Sequence, residues 1–394
     1  MSTPAAPTLG QLLRQAIVDP VLRSLGLSPH QWKTIRALAA CRTAALGGQL
    51  FQCTQCKREH FVAHSCRNRH CPQCQGAQAL DWLQRQEAAL LPIAYFHLVF
   101  TLPHRLNGLI RQNRAALFTL LFDAVNQTLL EFGRRRLRAQ IGVTAVLHTW
   151  SQTLLDHYHL HCIVTGGGVA LDGQCWKHVT PHYLFPVQAL SRMFRGKFMA
   201  GLKELYDGGQ LEFHGEMKAW VEPARFAALL RESSQSEWVV YAKRPFAGPK
   251  QVLAYLSRYT HRVAISNRRI ISADSNQVIF RYKDYADQAR HKTMSLDRAE
   301  FVRRFCLHVL PERFVKIRHY GLLGNRQRRE RLTAARQLLG VSAPPDEPVS
   351  VTSHGTSPEP TAPSCPFCHC RKLILVGQLT PQRAFRPVPI LNSS

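Results

Sequence analysis

Residues 141–168, which read IGVTAVLHTWSQTLLDHYHLHCIVTGGG, decide the fold of the chain around them. Two apolar runs, at 141–150 and 158–165, enclose a short polar segment, and this pattern predicts two strands joined by a turn. Further strand-like runs at 95–102 and 238–242 alternate with helical stretches and are connected locally. The sequence therefore predicts an α+β fold with an antiparallel sheet, and not a doubly wound parallel one.

A pair of histidines lies in the second of these strands. Residues i and i+2 of a strand face the same way, so His159 and His161 project from one face while Leu160 points into the opposite layer. Two such imidazoles can bind a divalent cation, although a lone His-x-His among 19 histidines is more often a coincidence. His148 strengthens the metal interpretation, because an antiparallel turn would bring it beside the pair as a third ligand. Two other residues are weaker candidates for the third ligand: Gln152 and His157.

Two tyrosines follow in the segment YLSRYTHR, which begins at Tyr255. On a helix, Tyr255 and Tyr259 share a face, where two phenols could attack two phosphodiesters in one site. The ordinary interpretation is a pair of aromatic residues on an amphipathic helix. A tyrosine ester would store the energy of the cleaved bond, so that rejoining needs no ATP. The basic neighbours, which favour a phosphate-binding face and include a candidate general base, are Arg258, His261 and Arg262.

Six of the twelve cysteines crowd into residues 41–74. Their CxxC spacing, in a chain with no secretory signal at its start, indicates zinc rather than disulfides. Each CxxC places two thiolates on one tight turn, and two such turns can complete a tetrahedral site. The favoured ligands are Cys53, Cys56, Cys71 and Cys74, and the next candidates, which leave room for a second zinc ion, are Cys41, Cys66 and His70. A structural zinc knot and a zinc-ordered DNA-binding surface both fit this pattern.

The charge balance indicates a polyanionic partner. The 394 residues include 51 Lys+Arg against 25 Asp+Glu, a net charge of +26, which favours nucleic acid. No stretch approaches the roughly 20 apolar residues of a membrane span, so the sequence predicts a cytosolic, DNA-associated protein with no membrane partner. The candidate phosphate contacts, which could also be ordinary solvated helix faces, are Arg134, Arg135, Arg136 and the stretch 326–331.

Taken together, these segments resemble the HUH endonucleases, and among them the two-tyrosine transposases of rolling-circle bacterial insertion sequences. The resemblance covers about residues 30–335 and rests, in order, on ALGGQLFQCTQC, HSCRNRHCPQC, VFTLPH, HTWSQ, HLHCIVTGGG, YLSRYTHRVAISN and VKIRHYGLLGNR. It implies an N-terminal domain with structural Zn²⁺ and a ferredoxin-like HUH catalytic domain. It also implies that His159 and His161 bind a catalytic Mg²⁺ or Mn²⁺, with His148 carried over as the third ligand, and that Tyr255 and Tyr259 are the nucleophiles.

The resemblance further implies a reaction and its partners. One tyrosine becomes linked to a DNA 5′-phosphate and leaves a free 3′-hydroxyl, and the second tyrosine makes the coupled cut. The expected partners are single-stranded DNA at insertion-sequence ends and the target DNA, in a bacterial cytoplasm and associated with the nucleoid. Two alternatives stay open: a rolling-circle replication initiator or relaxase, and a non-catalytic zinc-finger DNA-binding protein.

Five regions are predicted along the chain. The last is rich in Pro, Ser and Thr and contains the cluster CPFCHC, whose Cys365, Cys368 and Cys370 have no second CxxC nearby, so metal binding there stays open. The regions are N-terminal helices at 1–40, a zinc-binding domain at 41–91, the HUH catalytic domain at 92–300, a basic helical region at 301–340, and a flexible tail at 341–394.

Overall fold

In the computed structural model, the described residues are 6–87, 90–180, 184–236, 238–243, 251–252, 263–341, 364–381 and 385–387. They form an α+β protein whose strands pair in antiparallel sheets, which confirms the predicted fold class. The helices of this part are α1 (Leu9–Val18), α2 (Pro20–Arg23), α3 (Pro29–Ala40), α4 (Pro72–Glu87), α5 (Asn107–Gln112), α6 (Arg114–Phe132), α7 (Val187–Asp207), α8 (Pro223–Gln235), α9 (Arg298–Cys306) and α10 (Arg328–Leu338).

The strands belong to three sheets within the described ranges. They are β1 (Gly48–Cys53), β2 (Glu59–Ala63), β3 (Tyr95–Thr101), β4 (Ala139–Trp150), β5 (Asp156–Ala170), β6 (Trp176–His178), β7 (Val240–Lys243), β8 (Ile270–Ala273), β9 (Gln277–Asp284), β10 (Arg290–Asp297), β11 (Ile317–Gly321), β12 (Leu373–Leu379) and β13 (Phe385–Pro387).

The central sheet has the strand order β11-β4-β5-β3-β7, with β6 paired to β5. Apart from the short β6 between β5 and α7, the chain from β3 to β7 runs β3, α5–α6, β4, β5, α7–α8, β7. This is the β-α-β-β-α-β connectivity of a ferredoxin-like domain, which the family resemblance implied. The edge strand β11 lies in the region predicted to be helical, where Arg318 and His319 interrupt the apolar pattern and conceal the strand.

One face of the central sheet carries the main core. Alternate residues of β3, namely Phe96, Leu98 and Phe100, are buried against the helical layer of α6 and α7. Contrary to the expectation from the sequence, one stretch within the described residues, Arg114–Leu137, is long and apolar enough to cross a membrane. Half of its most apolar window is buried, as expected for a helix that packs in a protein core. The opposite face of the sheet carries the candidate site.

A second core joins the two ends of the catalytic region. The N-terminal helices α1–α3 pack on α9 and on the three-stranded sheet β10-β9-β8. Leu9 and Leu38 share this core with Phe280, Phe301 and Phe305, all of which are almost completely buried. The boundaries predicted at residues 40 and 300 therefore cut through one packed unit, which sequence periodicity alone does not reveal.

The third sheet combines the two ends of the chain. Its order is β13-β12-β1-β2, so β12, near the end of the sequence, pairs along the whole of β1. A flexible tail was expected from residue 341, but Leu373–Leu379 form a regular strand. The physical reason is the open edge of β1, whose backbone groups need a partner on the side away from β2.

Candidate active site and metal centres

The three predicted histidines meet on the face of the central sheet that points away from α6 and α7. His159 and His161 project from this face, while Leu160 between them is completely buried in the helical core. His148 lies directly opposite His159 in the β4–β5 register. One ring nitrogen from each of the three lies within 4.8 Å of the others. The expected geometry of the trio is therefore present.

The spacing of the nitrogens suits a bound cation. His159 Nε2 lies 3.1 Å from His161 Nε2. Two neighbouring nitrogens that each bind one metal at about 2.1 Å in octahedral geometry would lie about 3.0 Å apart. Two imidazole lone pairs facing each other at this distance repel unless a proton or a cation lies between them. The histidine set therefore fits a divalent metal.

Hydrogen bonds fix which nitrogen each of the two β5 ligands presents. His159 Nδ1 lies 2.8 Å from the carbonyl oxygen of His157, which only accepts, so Nδ1 carries the proton and Nε2 presents its lone pair. His161 Nδ1 lies 2.9 Å from Nε2 of His97, and the two rings are within 9° of coplanar. Burial, with a smaller contribution from the charge of Lys243, lowers the pKa of His97 to about 3, so its ring is neutral. A neutral His97 can accept from His161.

His97 was not predicted from the sequence. It lies on β3, opposite Ile163 of β5, and shares the histidine face because side chains alternate along a strand. In the sequence, the only indication that His97 faces the site is the alternation of side chains along a strand whose other residues are mostly apolar. The weaker third-ligand candidate His157 contributes its carbonyl oxygen to His159 and rests its ring on His104. Among the described residues, the third histidine close enough to share a metal ion with His159 and His161 is His148, and not His157.

The turn between the two histidine strands is anchored by the second core. Arg304 Nη1 donates to the carbonyl oxygen of Thr153 at 3.1 Å, and His308 Nε2 donates to that of Leu154 at 3.0 Å. Arg269 donates to the carbonyl oxygen of Gln152. Leu154 has φ = 61° although it is not glycine, and its side chain is completely buried. Burial of this leucine offsets the backbone strain and fixes the register that aligns His148 with His159.

Two apolar clusters flank the histidines along the strands. Trp150, whose ring lies 4.8 Å from that of His148, belongs to the second core. Ile163, two residues beyond His161, belongs to a separate cluster with Tyr95 and Trp82. Val252 is buried in the Ile163 cluster and Ala264 in the Trp150 core, so the chain is anchored on both sides of the histidines.

Several predicted site residues lie between those two anchors. They fall outside the described residues: Tyr255, Arg258, Tyr259, His261 and Arg262.

Four cysteines form a compact cluster at the junction of α3 and α4. The Sγ atoms of Cys41 and Cys71 lie 3.6 Å apart, those of Cys41 and Cys74 3.6 Å, and those of Cys66 and Cys74 3.7 Å. A Zn–S bond of about 2.3 Å gives a tetrahedron with edges of about 3.8 Å, whereas a disulfide bond is about 2.05 Å long. The set Cys41, Cys66, Cys71 and Cys74 therefore fits a tetrahedral zinc ion.

The other N-terminal CxxC pair lies elsewhere. Cys53 and Cys56 group with Cys365 and Cys368, so the expectation that both N-terminal pairs complete one site is wrong. The reason is topological. Cys53 and Cys56 lie at the end of β1, whose neighbour β12 brings the second pair, whereas Cys71 and Cys74 lie at the start of α4.

His70 does not join the cysteines in either group of described residues. Its Nε2 accepts a hydrogen bond from the backbone N–H of Leu310 at 3.3 Å. Burial, followed by the positive charges of Lys316 and Arg69, lowers its pKa well below the usual range. The prediction of His70 as a zinc ligand is thus corrected, because the ring is a neutral acceptor that links the loop before Cys71 to Leu310, in the segment after α9.

The basic turn Arg134, Arg135 and Arg136 is exposed at the end of α6. Arg135 pairs with Glu131 at 2.8 Å. The nine residue steps of β4 from Ala139 to His148 separate this turn from the histidines by about 30 Å at about 3.3 Å per step. The stretch 326–331 is partly engaged, since Arg328 donates to Gln86 and Arg331 to the carbonyl oxygen of Gly321, both at 2.9 Å.

Comparison with known proteins identifies the family. A family model described as "Putative transposase" matches residues 142–331, and one described as "Transposase zinc-binding domain" matches residues 13–102. The "Putative transposase y4qJ" of Sinorhizobium fredii is 45% identical over 357 residues, which cover 89% of this chain and 90% of that protein. The chain belongs to this transposase family.

A second relative of the transposase is more distant. The "Transposase for insertion sequence element IS801" of Pseudomonas savastanoi pv. phaseolicola is 27% identical over 335 residues, which cover 83% of this chain and 78% of that protein. No solved structure matches. The resemblance to insertion-sequence transposases with an N-terminal zinc-binding domain is thus confirmed. The three histidines fall within the first matched segment, and the six clustered cysteines at 41–74 fall within the second.

Proposed function

We propose that this transposase nicks and rejoins single-stranded DNA at insertion-sequence ends and in the target through a 5′-phosphotyrosine intermediate. The observation that carries the proposal is the cluster of His148, His159 and His161, with two ligand nitrogens oriented by hydrogen bonds, in a chain of a transposase family. Non-catalytic DNA binding would require no such converging imidazoles.

In this proposal, His148, His159 and His161 hold a catalytic Mg²⁺ or Mn²⁺. When bound, the cation supplies Lewis-acid polarisation of the scissile phosphate. The carbonyl oxygen of His157 and the ring of His97 keep the Nδ1 protons of the two β5 histidines in place. Their Nε2 lone pairs consequently stay available, and the rings do not have to reorganise during the reaction.

Tyr255 and Tyr259 are the proposed nucleophiles. The burial of Val252 and Ala264 in the clusters on either side of the histidines supports their assignment, because the segment between these anchors carries both tyrosines. The phenolic oxygen of one tyrosine forms a bond to phosphorus, and the bond to the 3′-oxygen breaks. His261 is the candidate acceptor of the phenolic proton. In the reverse direction, a 3′-hydroxyl attacks the phosphotyrosine and releases the phenol.

Other parts of the chain bind DNA and stabilise the fold. Arg258 and Arg262 are proposed as phosphate contacts near the cleaved bond. Arg134, Arg135 and Arg136, about 30 Å from the histidines by the length of β4, would contact DNA away from it. Cys41, Cys66, Cys71 and Cys74 are proposed to hold a structural zinc ion. The site of action is the bacterial cytoplasm, at the nucleoid.

A covalent-adduct assay tests this function. Zinc-loaded protein is incubated with Mn²⁺ and with 3′-labelled single strands from the flanks of its own gene, and the products are separated on a denaturing gel. We expect a labelled protein band with wild type and with the control Tyr285→Phe, whose side chain is exposed. The double variant Tyr255→Phe, Tyr259→Phe should give none. Cleavage by the double variant at the wild-type rate would reject the tyrosine mechanism.

A further inference from the structure

We infer that the chain binds a second zinc ion through Cys53, Cys56, Cys365 and Cys368, and that this ion clasps the C-terminal segment to the N-terminal sheet. Cys365 and Cys368 lie outside both segments that match the transposase family models. The two halves of the site are more than 300 residues apart in sequence.

The sulfur positions have the dimensions of a zinc tetrathiolate. Cys53 Sγ lies 3.6 Å from Cys368 Sγ, and Cys56 Sγ lies 3.6 Å from Cys365 Sγ. All four atoms lie within 4.8 Å of one another. These distances match the edge of about 3.8 Å expected around zinc and greatly exceed the S–S bond of about 2.05 Å.

The two CxxC turns have the same backbone hydrogen bonds. In the first turn, Cys53 N–H donates to the carbonyl oxygen of Arg58 and the Cys53 carbonyl oxygen accepts from Lys57, both at 3.0 Å. In the second, the corresponding bonds join Cys365 to Cys370 at 2.8 Å and to His369 at 2.9 Å.

The two turns also share a left-handed residue. Lys57 has φ = 62° and His369 has φ = 60°, at the same position relative to the first cysteine. Neither residue is glycine, so each left-handed backbone conformation has an energetic cost that the surrounding contacts must offset. Two turns distant in sequence thus adopt one backbone conformation, in which both sulfurs of each pair face a common point.

Contacts around the sulfurs hold the two turns together. Cys53 pairs with Leu373 at the end of the β1–β12 ladder, and both the backbone N–H and the hydroxyl of Thr54 donate to the carbonyl oxygen of Lys372 at 3.1 Å. The guanidinium of Arg58 lies over the ring of Phe367 at 4.9 Å. The basic residues that follow the two turns, and that offset the negative charge of a zinc ion bound by four thiolates, are Lys57, Arg58, Arg371 and Lys372.

Cys370 gives an internal control for this assignment. It lies two residues after Cys368, but its Sγ accepts a hydrogen bond from the backbone N–H of Lys372 at 3.3 Å and is not a member of the four-sulfur group. Cys175 gives a second control, because its side chain is exposed and distant in sequence from every cluster cysteine.

The test measures zinc per chain by elemental mass spectrometry on full-length protein. We expect two zinc ions in wild type, in Cys175→Ser and in Cys370→Ser, and one in the double variant Cys365→Ser, Cys368→Ser. The single variant Cys368→His, which keeps a zinc ligand at that position, should retain two. Cobalt-substituted wild type should show tetrathiolate absorption of twice the intensity seen in the double serine variant.

Hydrogen exchange tests whether the second zinc ion holds β12 against β1. The amides of Leu373–Leu379 should lose protection in the double serine variant, while those of β4 and β5 keep it and so show that the catalytic domain remains folded. Two zinc ions in the double serine variant would overturn the proposal. A single zinc ion in wild type that disappears when Cys71 and Cys74 are replaced by serine would overturn it as well, whether or not nicking activity is present.

Discussion

The histidine cluster and the cysteine clusters use similar chemistry but are assembled over very different distances along the chain. The histidines come from one hairpin, and the register of β4 and β5 alone sets His148 beside His159. The cysteines come from turns whose positions depend on which helices and strands pack together. Ligands on neighbouring strands can therefore be assigned to one site from the sequence. Ligands on separate turns can each be recognised as ligands, but the sequence does not show which of them share a site.

Loss of the first zinc cluster should have the largest effect and tests whether the cysteines serve the fold. Cys71→Ser, Cys74→Ser should remove one zinc ion and lower the free energy of unfolding by on the order of 5 kcal/mol, because structural zinc contributes folding energy directly. Chemical denaturation with and without a chelator measures this effect, with Cys175→Ser as the control. A variant that loses zinc but keeps wild-type stability would contradict a structural role.

Loss of the β5 histidines should act on the reaction and not on the fold. His159→Ala, His161→Ala should reduce nicking about 10³-fold, since a catalytic cation contributes several kcal/mol to the transition state. Zinc content should remain at the wild-type value, and the exposed His178→Ala serves as the control. Equal loss of zinc in the histidine variant would show that the two regions are not independent.

His97 should have a smaller, positioning effect. His97→Ala removes the acceptor for His161 Nδ1 and should weaken metal affinity or activity about 10–100-fold. The loss should appear mainly as a raised Mn²⁺ requirement, with activity recovered at high Mn²⁺ concentration, and His97→Gln should restore part of it. If the alanine variant loses activity that no Mn²⁺ concentration restores, His97 does more than orient a ligand.

The smallest expected effect concerns contacts within one helix. Glu300 accepts hydrogen bonds from Arg303 and Arg304, which lower the pKa of its carboxyl to about 2. Because the folded pKa lies below the unfolded one, the stabilisation is present above about pH 5 and is lost as the pH falls towards 2. Glu300→Gln should therefore cost about 0.5–1 kcal/mol at pH 7 and almost nothing near pH 2.

Urea denaturation of Glu300→Gln at several pH values measures this dependence. The control is Glu330→Gln, an exposed residue in the first turn of α10. A cost for Glu300→Gln that is equal at pH 7 and near pH 2 would show that the ion pairs do not cause it.

The fold and the histidine site were largely predictable from the sequence because their determinants are local. Alternation and turn signals gave β3, β4 and β5, and the i, i+2 rule gave the shared face of His159 and His161. The strand β11 was missed because its polar residues conceal it in a basic region. The ligand partners of Cys53 were missed because no local pattern links residue 53 to residue 365; only the pairing of β1 with β12 does.

Because β1 pairs with β12, the N-terminal sheet cannot be completed until the C-terminal segment has been synthesised. Cys365 follows Cys56 by 309 residues. At about 5–20 residues per second, a ribosome needs about 15–60 s to add them. Throughout that interval one edge of β1 has no strand beside it and is open to pairing with another chain. The N-terminal sheet is thus among the first parts of the protein to be made and the last to be finished.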